Sequence, residues 1–212
     1  MPNWVSNSVR VTGDKKELKR FAEQAGRSYT RKYQDAEGKW YEAESNNEHL
    51  SFWNFVRPDD SILDEYWGSE RQDLSLEEKL QHKTNHWYDW NIRNWGVKWD
   101  ASDVYFEDWD GELVYDFETP WGAPFEVYQA MVAQYPSLKF TIRFLEEQGW
   151  GGEALGENGE FAVVNEWDIP GTHEERMEYI GYCWCEEMRD DEAEYMYEDC
   201  PRRLELANAT TV

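Results

Sequence analysis

The sequence has few basic residues and few cysteines, and it contains no long apolar run. Its 212 residues include 21 Lys and Arg against 45 Asp and Glu, which gives a formal net charge of −24. Such a charge repels DNA, RNA and anionic membranes, because binding to phosphate groups relies on Lys and Arg. We therefore expect basic proteins or multivalent cations as partners, with no direct nucleic acid and no membrane. Solubility alone is the simpler explanation for the acidity.

The three cysteines are Cys183, Cys185 and Cys200. An odd number without a CxxC spacing argues against a disulfide framework and favours a reducing compartment. The stretch MPNWVSNSVRV lacks the basic and apolar regions of a signal peptide, and no later stretch has the length of a membrane span. We therefore expect a soluble, cytoplasmic protein.

The first 27 residues predict a strand followed by an amphipathic helix. Val9 and Val11 alternate within a β-rich stretch, and Asp14 with Glu17 has the spacing of a capping box. An apolar stripe at helical spacing follows, made of Leu18, Phe21, Ala22 and Ala25. A helix of this kind must pack its apolar stripe on another layer.

Residues 28–99 predict an insertion. We expect a hairpin around residues 36–38, a short strand in HLSFWNFVRP, and a helix from about Leu74 to a cap at Gly96. His82 and His86 lie one turn apart in that helix. A zinc-protease motif needs Glu directly after the first histidine, and here Lys83 stands there. We therefore expect surface histidines and no metal site.

Residues 100–165 predict a regular alternation of elements. Two strands meet at Asp110-Gly111, a buried helix lies in PFEVYQAMVAQY, and a strand follows in LKFTIRFL. A glycine-rich link, a turn at Asn158-Gly159 and a last strand near residues 161–165 complete the stretch. Without the insertion, the order is strand, helix, strand, strand, helix, strand, plus a closing hairpin.

That βαββαβ order is typical of a ferredoxin-like α+β fold, an antiparallel sheet with two packed helices. An unrelated α+β sandwich is the alternative. We predict a ferredoxin-like domain over residues 1–165, with its core in 1–27 and 100–165 and the insertion in 28–99. An acidic C-terminal helical extension over residues 166–212 follows it.

Three stretches carry a family resemblance: MPNWVSNSVRVTG at residues 1–13, WGVKWDASDV at 95–104, and the run from LVYDFETPWGAP to YPSLKFTI. Together they resemble the YubB-type ferredoxin-like proteins of bacteriophages and conjugative plasmids, over residues 1–27 and 86–165. Val5 stands where that family often has a cysteine, so a role of that thiol does not transfer. The resemblance implies the fold and a mobile-element origin in a bacterial host cell, and it implies no activity.

The negative charge is concentrated in two blocks. Residues 100–120 contain eight acids and no base, and residues 166–200 contain thirteen acids against Arg176 and Arg189. In the second block, a capping box at Thr172 and Glu175 precedes four apolar residues at helical spacing, Met177, Ile180, Trp184 and Met188. We therefore expect one helix that docks one face and displays its acids. A solvated acidic helix without a partner is the alternative.

The tryptophans and acids supply the candidate contacts. We expect Trp4, Trp95 and Trp99 in the core, and Trp87, Trp90 and Trp109 as surface anchors. The cluster EDWDGE at the hairpin tip favours a solvated turn over a calcium loop. The predicted partner-binding residues are Asp103, Glu107, Asp108, Trp109, Asp110, Glu112, Glu174, Glu178, Glu187 and Asp191. No catalytic residue, metal ligand or cofactor is predicted.

The leading functional hypothesis is a phage-encoded, non-enzymatic interaction protein. Its acidic face would bind a basic host protein, such as a nuclease or defence complex, by imitating DNA phosphates. Two alternatives remain: a carboxylate-based metal-dependent enzyme, and a nucleic-acid-binding module that uses the sheet face. A module that binds single-stranded nucleic acid by stacking on its bases normally has a basic groove, and that groove is missing here.

Overall fold

The computed structural model describes residues 2–35, 37–45, 47–68, 75, 77 and 84–209. His82, Leu74 and much of the helix predicted to begin there lie outside the described residues. Among the helices that are described, none has both the length and the apolar character needed to cross a membrane.

The described part of the chain contains both strands and α-helices, with short 3₁₀ turns between some of them. In chain order they are β1 (Trp4–Thr12), α1 (Lys15–Ala25), β2 (Thr30–Gln34), β3 (Trp40–Glu44), α2 (Leu63–Trp67), α3 (Trp87–Trp95), β4 (Ser102–Trp109), β5 (Glu112–Pro120), α4 (Phe125–Gln134), β6 (Lys139–Glu146), β7 (Gly151–Glu157), β8 (Glu160–Trp167), α5 (His173–Ile180) and α6 (Pro201–Ala209).

The main sheet has six antiparallel strands in the order β4-β5-β1-β6-β7-β8. Strand β1 pairs with both β5 and β6, so the first strand lies at the centre. Helix α1 follows β1 and helix α4 joins β5 to β6. This is the ferredoxin-like arrangement, extended at one edge by the β7–β8 hairpin. The predicted fold class is confirmed.

Strict alternation in the central strands builds the core. Apolar side chains point to the helix-covered face at Val5, Val9 and Val11 of β1, Leu113, Tyr115 and Phe117 of β5, and Phe140, Ile142 and Phe144 of β6. Phe21 of α1 meets this layer, with its ring 5.8 Å from Tyr115 and 5.6 Å from Phe140. As predicted, Asp14 caps α1, its side chain accepting from Lys16 N at 2.9 Å.

The insertion differs from its prediction in two elements. The helix predicted as continuous from about Leu74 is interrupted, because residues 84–86 are not helical and α3 begins at Trp87. The second difference lies in the segment after the hairpin. The hairpin is confirmed as β2 and β3, but the strand predicted in HLSFWNFVRP is wrong: Phe52–Asn54 form a 3₁₀ turn. The reason lies in the end of α1. Ser51 N and Asn54 Nδ2 both donate to the carbonyl of Ala25, at 3.0 and 2.9 Å, so this segment caps a helix instead of pairing with a strand.

Trp90 is the clearest departure among the tryptophans. Predicted as a surface anchor, it is buried in the core, with its ring 5.5 Å from Tyr66 and 6.0 Å from Trp95. Trp95 is buried as predicted, and Trp4 and Trp99 are half-buried with their rings 6.0 Å apart. The insertion therefore packs against the sheet domain through one continuous aromatic core.

The glycine-rich link after β6 is a strand. Gly152 and Gly156 of β7 face the core, where a Cβ would lie 2.4 Å from Phe144 Cζ and 2.2 Å from Val132 Cγ2. Only glycine leaves room for the aromatic ring and for helix α4. The stretch is thus the first strand of the closing hairpin.

The single C-terminal helix that was predicted is wrong. Helix α5 ends at Gly181, which has a left-handed φ of 77° and donates its N–H to Met177 O at 3.0 Å. Trp184–Glu186 and Asp190–Tyr195 then form separate 3₁₀ turns. The chain turns because Cys183 and Cys185 point into a small core of their own, which a continuous helix would have dispersed.

Candidate functional site

The face of the sheet opposite α1 and α4 presents the first acidic block. On β4, Tyr105, Glu107 and Trp109 pair across to Asp116, Val114 and Glu112 of β5 and so share that face. The Glu107 carboxylate accepts from Tyr105 Oη at 2.8 Å and from Trp109 Nε1 at 3.1 Å. Both aromatic side chains are 58% exposed. Two exposed aromatic rings are therefore held in place by hydrogen bonds to one carboxylate.

The hydrogen bond to Glu107 raises the pKa of Tyr105 above its usual value, because the carboxylate disfavours a phenolate beside it. Tyr105 therefore stays a neutral donor. Its ring is fixed by a charged acceptor, which is a stronger constraint than an ordinary surface hydrogen bond.

An acidic cleft of about 390 Å³ lies beside this group, on the same face of the sheet. Its walls include three acids, Asp103, Asp116 and Glu118, and one base, Arg143. Ser6 on β1 donates to Glu118 at 2.7 Å. We call the open-face surface formed by Asp103, Tyr105, Glu107, Trp109, Asp116 and Glu118 the acidic sheet face.

The C-terminal acidic block docks at the border of the same face. The Arg143 guanidinium of β6 donates to Tyr179 O of α5 and to Glu153 Oε1 at 3.0 Å. It also lies 5.3 Å from the Trp167 ring, on which Tyr179 stacks at 5.2 Å. Arg143 lines the cleft as well, so the residue that holds α5 also borders the first acidic block.

The predicted hairpin residues divide between surfaces. Asp103, Glu107 and Trp109 contribute to the acidic sheet face. Asp108 pairs with Leu113 and so points to the helix-covered side. Asp110 lies at the turn with Lys15 Nζ 2.5 Å away, and Glu112 lies 3.3 Å from the Arg10 guanidinium.

The predicted C-terminal residues are exposed but do not form one row. Glu174 and Glu178 lie on α5, whereas Glu187 follows one 3₁₀ turn and Asp191 lies in the next. Asp191 is held by Arg189, with two hydrogen bonds of 3.0 and 2.6 Å. The expected row of carboxylates along one helix is therefore wrong, because the helix that would carry it ends at Gly181.

Asp116 and Glu118 were missed by reasoning from the sequence. The signal was present in β5, where alternation sends Leu113, Tyr115 and Phe117 inward and the intervening acids outward. The same alternation in β6 sends Arg143 to the open face, but it gives no sign of the contact with α5. Its place at the border depends on where α5 docks, which is a tertiary contact.

A second cavity, of about 510 Å³, lies among the aromatic residues of the insertion. Lys98 reaches into this group, and its Nζ lies 4.8 Å from the Trp99 ring and 5.0 Å from the Tyr88 ring. At the edge of the cavity, Asp100 accepts from Ser51 Oγ at 2.5 Å and Phe52 N at 2.7 Å. Burial raises the pKa of Asp100, although these hydrogen bonds oppose the shift.

Residues that could hold a metal lie outside the acidic sheet face. Within the described part of the chain, His173, Cys183 and Cys185 place their ligand atoms within 4.8 Å of one another. Reasoning from the sequence missed this group, because the residues do not follow a familiar metal-binding spacing.

Comparison with known proteins agrees with the topology. Residues 94–197 match the family model described as "Ferredoxin-like domain in Api92-like protein". Over this range, which is slightly less than half of the chain, the sequence is similar to the ferredoxin-like domain of Api92-like proteins. The matched range continues beyond residue 165, where the motif resemblance ends, and covers much of the second acidic block.

A solved structure of the Api92 kind is similar over most of both chains. It is protein api92 from Yersinia pseudotuberculosis, at a TM-score of 0.53 and 11% sequence identity, and the similarity covers 80% of this chain and 99% of that one. At this identity the likeness concerns the fold. No curated protein matches the sequence.

Proposed function

We propose that the protein is a phage-encoded, non-enzymatic interaction protein whose acidic sheet face and C-terminal segment bind a basic surface of a host protein. The observation that carries the proposal is the double contact of Arg143, which lines the cleft of the first acidic block and also holds α5, the helix of the second block. A basic partner in the cleft would meet carboxylates from β4 and β5, with the acids of α5 on the adjoining helix. A field of one sign focused by a cleft steers an oppositely charged partner and speeds association.

The group around Glu107 adds what charge alone lacks. Trp109 and Tyr105 are exposed aromatic side chains held in place by their bonds to a carboxylate. Aromatic anchors of this kind supply much of the binding energy at protein interfaces, and acids around them supply orientation. The arrangement therefore suits an arginine-bearing or lysine-bearing surface better than a free cation.

We assign the partner to the proteins that normally grip nucleic acid, such as a nuclease or a defence complex. Their DNA-binding surfaces carry rows of Lys and Arg spaced for phosphates. The motifs MPNWVSN and WGVKW support a YubB-type protein of a mobile element, for which blocking such a host complex would be useful. The protein would act in the bacterial cytoplasm as a competitor of DNA.

The test compares two triple variants with the same change in net charge. Asp103→Asn/Asp116→Asn/Glu118→Gln removes the three carboxylates of the cleft, and Glu23→Gln/Glu37→Gln/Asp64→Asn removes three exposed carboxylates elsewhere. Each is immobilised and offered bacterial host lysate over a salt gradient. We expect the wild type and the second variant to retain basic proteins at low salt and release them at high salt, because the pairs are screened.

The cleft variant should lose most of that retention, and duplex DNA added as a competitor should displace the retained proteins. Two outcomes contradict the proposal. One is the absence of any salt-sensitive partner of the wild type. The other is an equal loss in both triple variants, which would indicate a general effect of charge.

A further inference from the structure

The C-terminal segment has a small core whose buried side chains all contain sulfur. Its fully buried residues are Met196 and the three cysteines of the chain. We call Cys183, Cys185 and Cys200 the thiol cluster. All three are free thiols. Four buried side chains are a small core for a segment with thirteen acids in residues 166–200.

The sulfurs of Cys183 and Cys185 lie within 4.8 Å of each other, and Cys200 is buried in the same small core. The chain brings them together by two turns: Gly181 ends α5 just before Cys183, and Cys200 directly precedes α6. Buried cysteines often act as small apolar side chains, so this packing alone would carry no further role.

His173 supplies a second, independent observation. Its ligand atoms lie within 4.8 Å of those of Cys183 and Cys185, and its Nδ1 is buried without a hydrogen-bond partner. Buried ring nitrogens are normally satisfied. Apolar packing of the thiols does not explain an orphaned nitrogen beside them, whereas a cation between the nitrogen and the sulfurs does.

The backbone around His173 is also held toward the thiol cluster. Asp199, next to Cys200, accepts from His173 N at 2.8 Å and from Glu174 N at 3.1 Å. On the other side, Arg202 donates to Cys185 O at 3.3 Å and to Glu186 O at 2.8 Å. These contacts tie the segments that carry His173, Cys185 and Cys200 to one another, as an outer shell does in metal sites.

We propose that the thiol cluster and His173 bind one Zn²⁺ as a four-coordinate structural site, with the ligands Cys183, Cys185, Cys200 and His173. Three thiolates and one imidazole are a common tetrahedral ligand set for zinc, and a closed set leaves no position for substrate. Bond lengths of about 2.3 Å to sulfur and about 2.1 Å to nitrogen place such ligand atoms about 3.5 to 3.8 Å apart. The ligand atoms of His173, Cys183 and Cys185, which lie within 4.8 Å of one another, need to approach by roughly 1 Å to reach that spacing, and Cys200 Sγ must move in as the fourth ligand.

Zinc binding would give this segment the stability that its small core lacks. The thiols release their protons to solvent when they coordinate the ion, and the energy of coordination becomes energy of folding. The site would thereby fix α5 against Arg143 and Trp167. This inference goes beyond the partner-binding proposal and does not depend on it.

The first test measures the metal content of the full chain, expressed in zinc-supplemented medium and dialysed without chelator. Mass spectrometry of the elements should find about one zinc per chain. Cys185→Ser and Cys200→Ser should lose nearly all of it. His49→Gln should retain it, because His49 is exposed and stacks on Phe106 in the sheet domain.

The second test remains informative if a cysteine variant folds poorly. The wild-type chain is stripped of metal and titrated with Co²⁺, whose visible and near-ultraviolet bands report tetrahedral coordination by thiolates. Those bands should appear at one equivalent, disappear when zinc is added, and weaken in His173→Ala. Removing zinc should speed amide exchange in residues 173–200 and leave the sheet unchanged.

Three results would overturn the proposal. They are the absence of metal in the protein together with silent Co²⁺ spectra, a metal content that the cysteine variants do not change, and a native disulfide between Cys183 and Cys185 found by mapping. Each indicates thiols that serve only packing or oxidation.

Discussion

Tyr128 of α4 donates a hydrogen bond to Asn7 Oδ1 of β1 at 2.6 Å in the middle of the core. The Asn7 amide in turn donates to Val5 O at 2.7 Å and to Thr119 Oγ1 at 2.8 Å. One buried amide thus joins the central strand to β5 and to the helix above them. Asn7 is the last residue of the MPNWVSN motif, so at least this polar residue of the motif has a structural role.

The first prediction contrasts two buried tyrosines. Tyr128→Phe leaves Asn7 Oδ1 without its donor and should lower the free energy of unfolding by about 1–3 kcal/mol. Tyr115→Phe is the matched control, because Tyr115 Oη is buried without a hydrogen-bond partner. Its removal should be neutral or stabilising. Urea denaturation of both variants decides the matter, and equal losses would contradict this account.

The second prediction concerns the glycines of β7. Gly156→Ala places a Cβ 2.2 Å from Val132 Cγ2 and should destabilise the protein by about 1–3 kcal/mol through overpacking. Gly122→Ala serves as the control, since its nearest neighbour, Val97 Cγ1, lies at 4.0 Å. Thermal or urea unfolding should separate the two. If the Gly156 variant is as stable as the control, α4 moves away from the added Cβ at little cost in free energy.

The third prediction is a dependence on pH at Asp100. Burial raises the pKa of this carboxyl in the folded state, so its contribution to stability is full below the unfolded pKa of about 3.9 and is lost as pH rises through the folded pKa. Asp100→Asn lacks this titration. Unfolding of both chains in urea between pH 4 and pH 7 should therefore show the wild type losing stability relative to the variant.

If the wild type instead gains stability relative to Asp100→Asn as pH rises, the hydrogen bonds from Ser51 and Phe52 outweigh desolvation in setting the pKa of Asp100. Ser51→Ala then tests the cause, because it removes the shortest of these bonds, at 2.5 Å, and leaves the carboxyl in place. In that variant the pKa of Asp100 should rise further.

The fourth prediction concerns Lys98 among its aromatic neighbours. Lys98→Met keeps the apolar stem and removes the cation that lies 4.8 Å from the Trp99 ring, so we expect a loss of about 0.5–2 kcal/mol in stability. Lys139→Met, at an exposed position of β6, should change stability little. Equal effects in denaturant unfolding would rule out a special role for the aromatic setting.

Local patterns in the sequence were sufficient for most of the sheet domain, although they indicated a link where the glycine-rich strand β7 lies. Asp14 before the α1 stripe, Asp110-Gly111 at the hairpin turn, and the alternation through Phe140, Ile142 and Phe144 each report their own structure within a few residues. Patterns failed where a distant contact decided the outcome. The segment around Phe52 is rich in apolar residues like a strand, but the end of α1 takes its hydrogen bonds.

The candidate sites were predicted less well than the fold. The concentration of acids in two blocks was visible in the sequence, and so was the exposure of Trp109. The sequence did not show that the two acidic blocks lie on the same side of the sheet, because that placement depends on the contact between Arg143 and α5. The spacing of the apolar residues Met177 to Met188 suggested one helix, and the preference of Gly181 for a left-handed end overrode it.

By itself, the sequence determined the βαββαβ order, the caps and turns, and the concentration of negative charge, because these depend on neighbouring residues and on composition. Only the tertiary structure decided that Asp116 and Glu118 share a cleft with Arg143, and that His173 meets Cys183 and Cys185. Those contacts join residues far apart in the chain. Burial of apolar faces brings them together, and no local period encodes it.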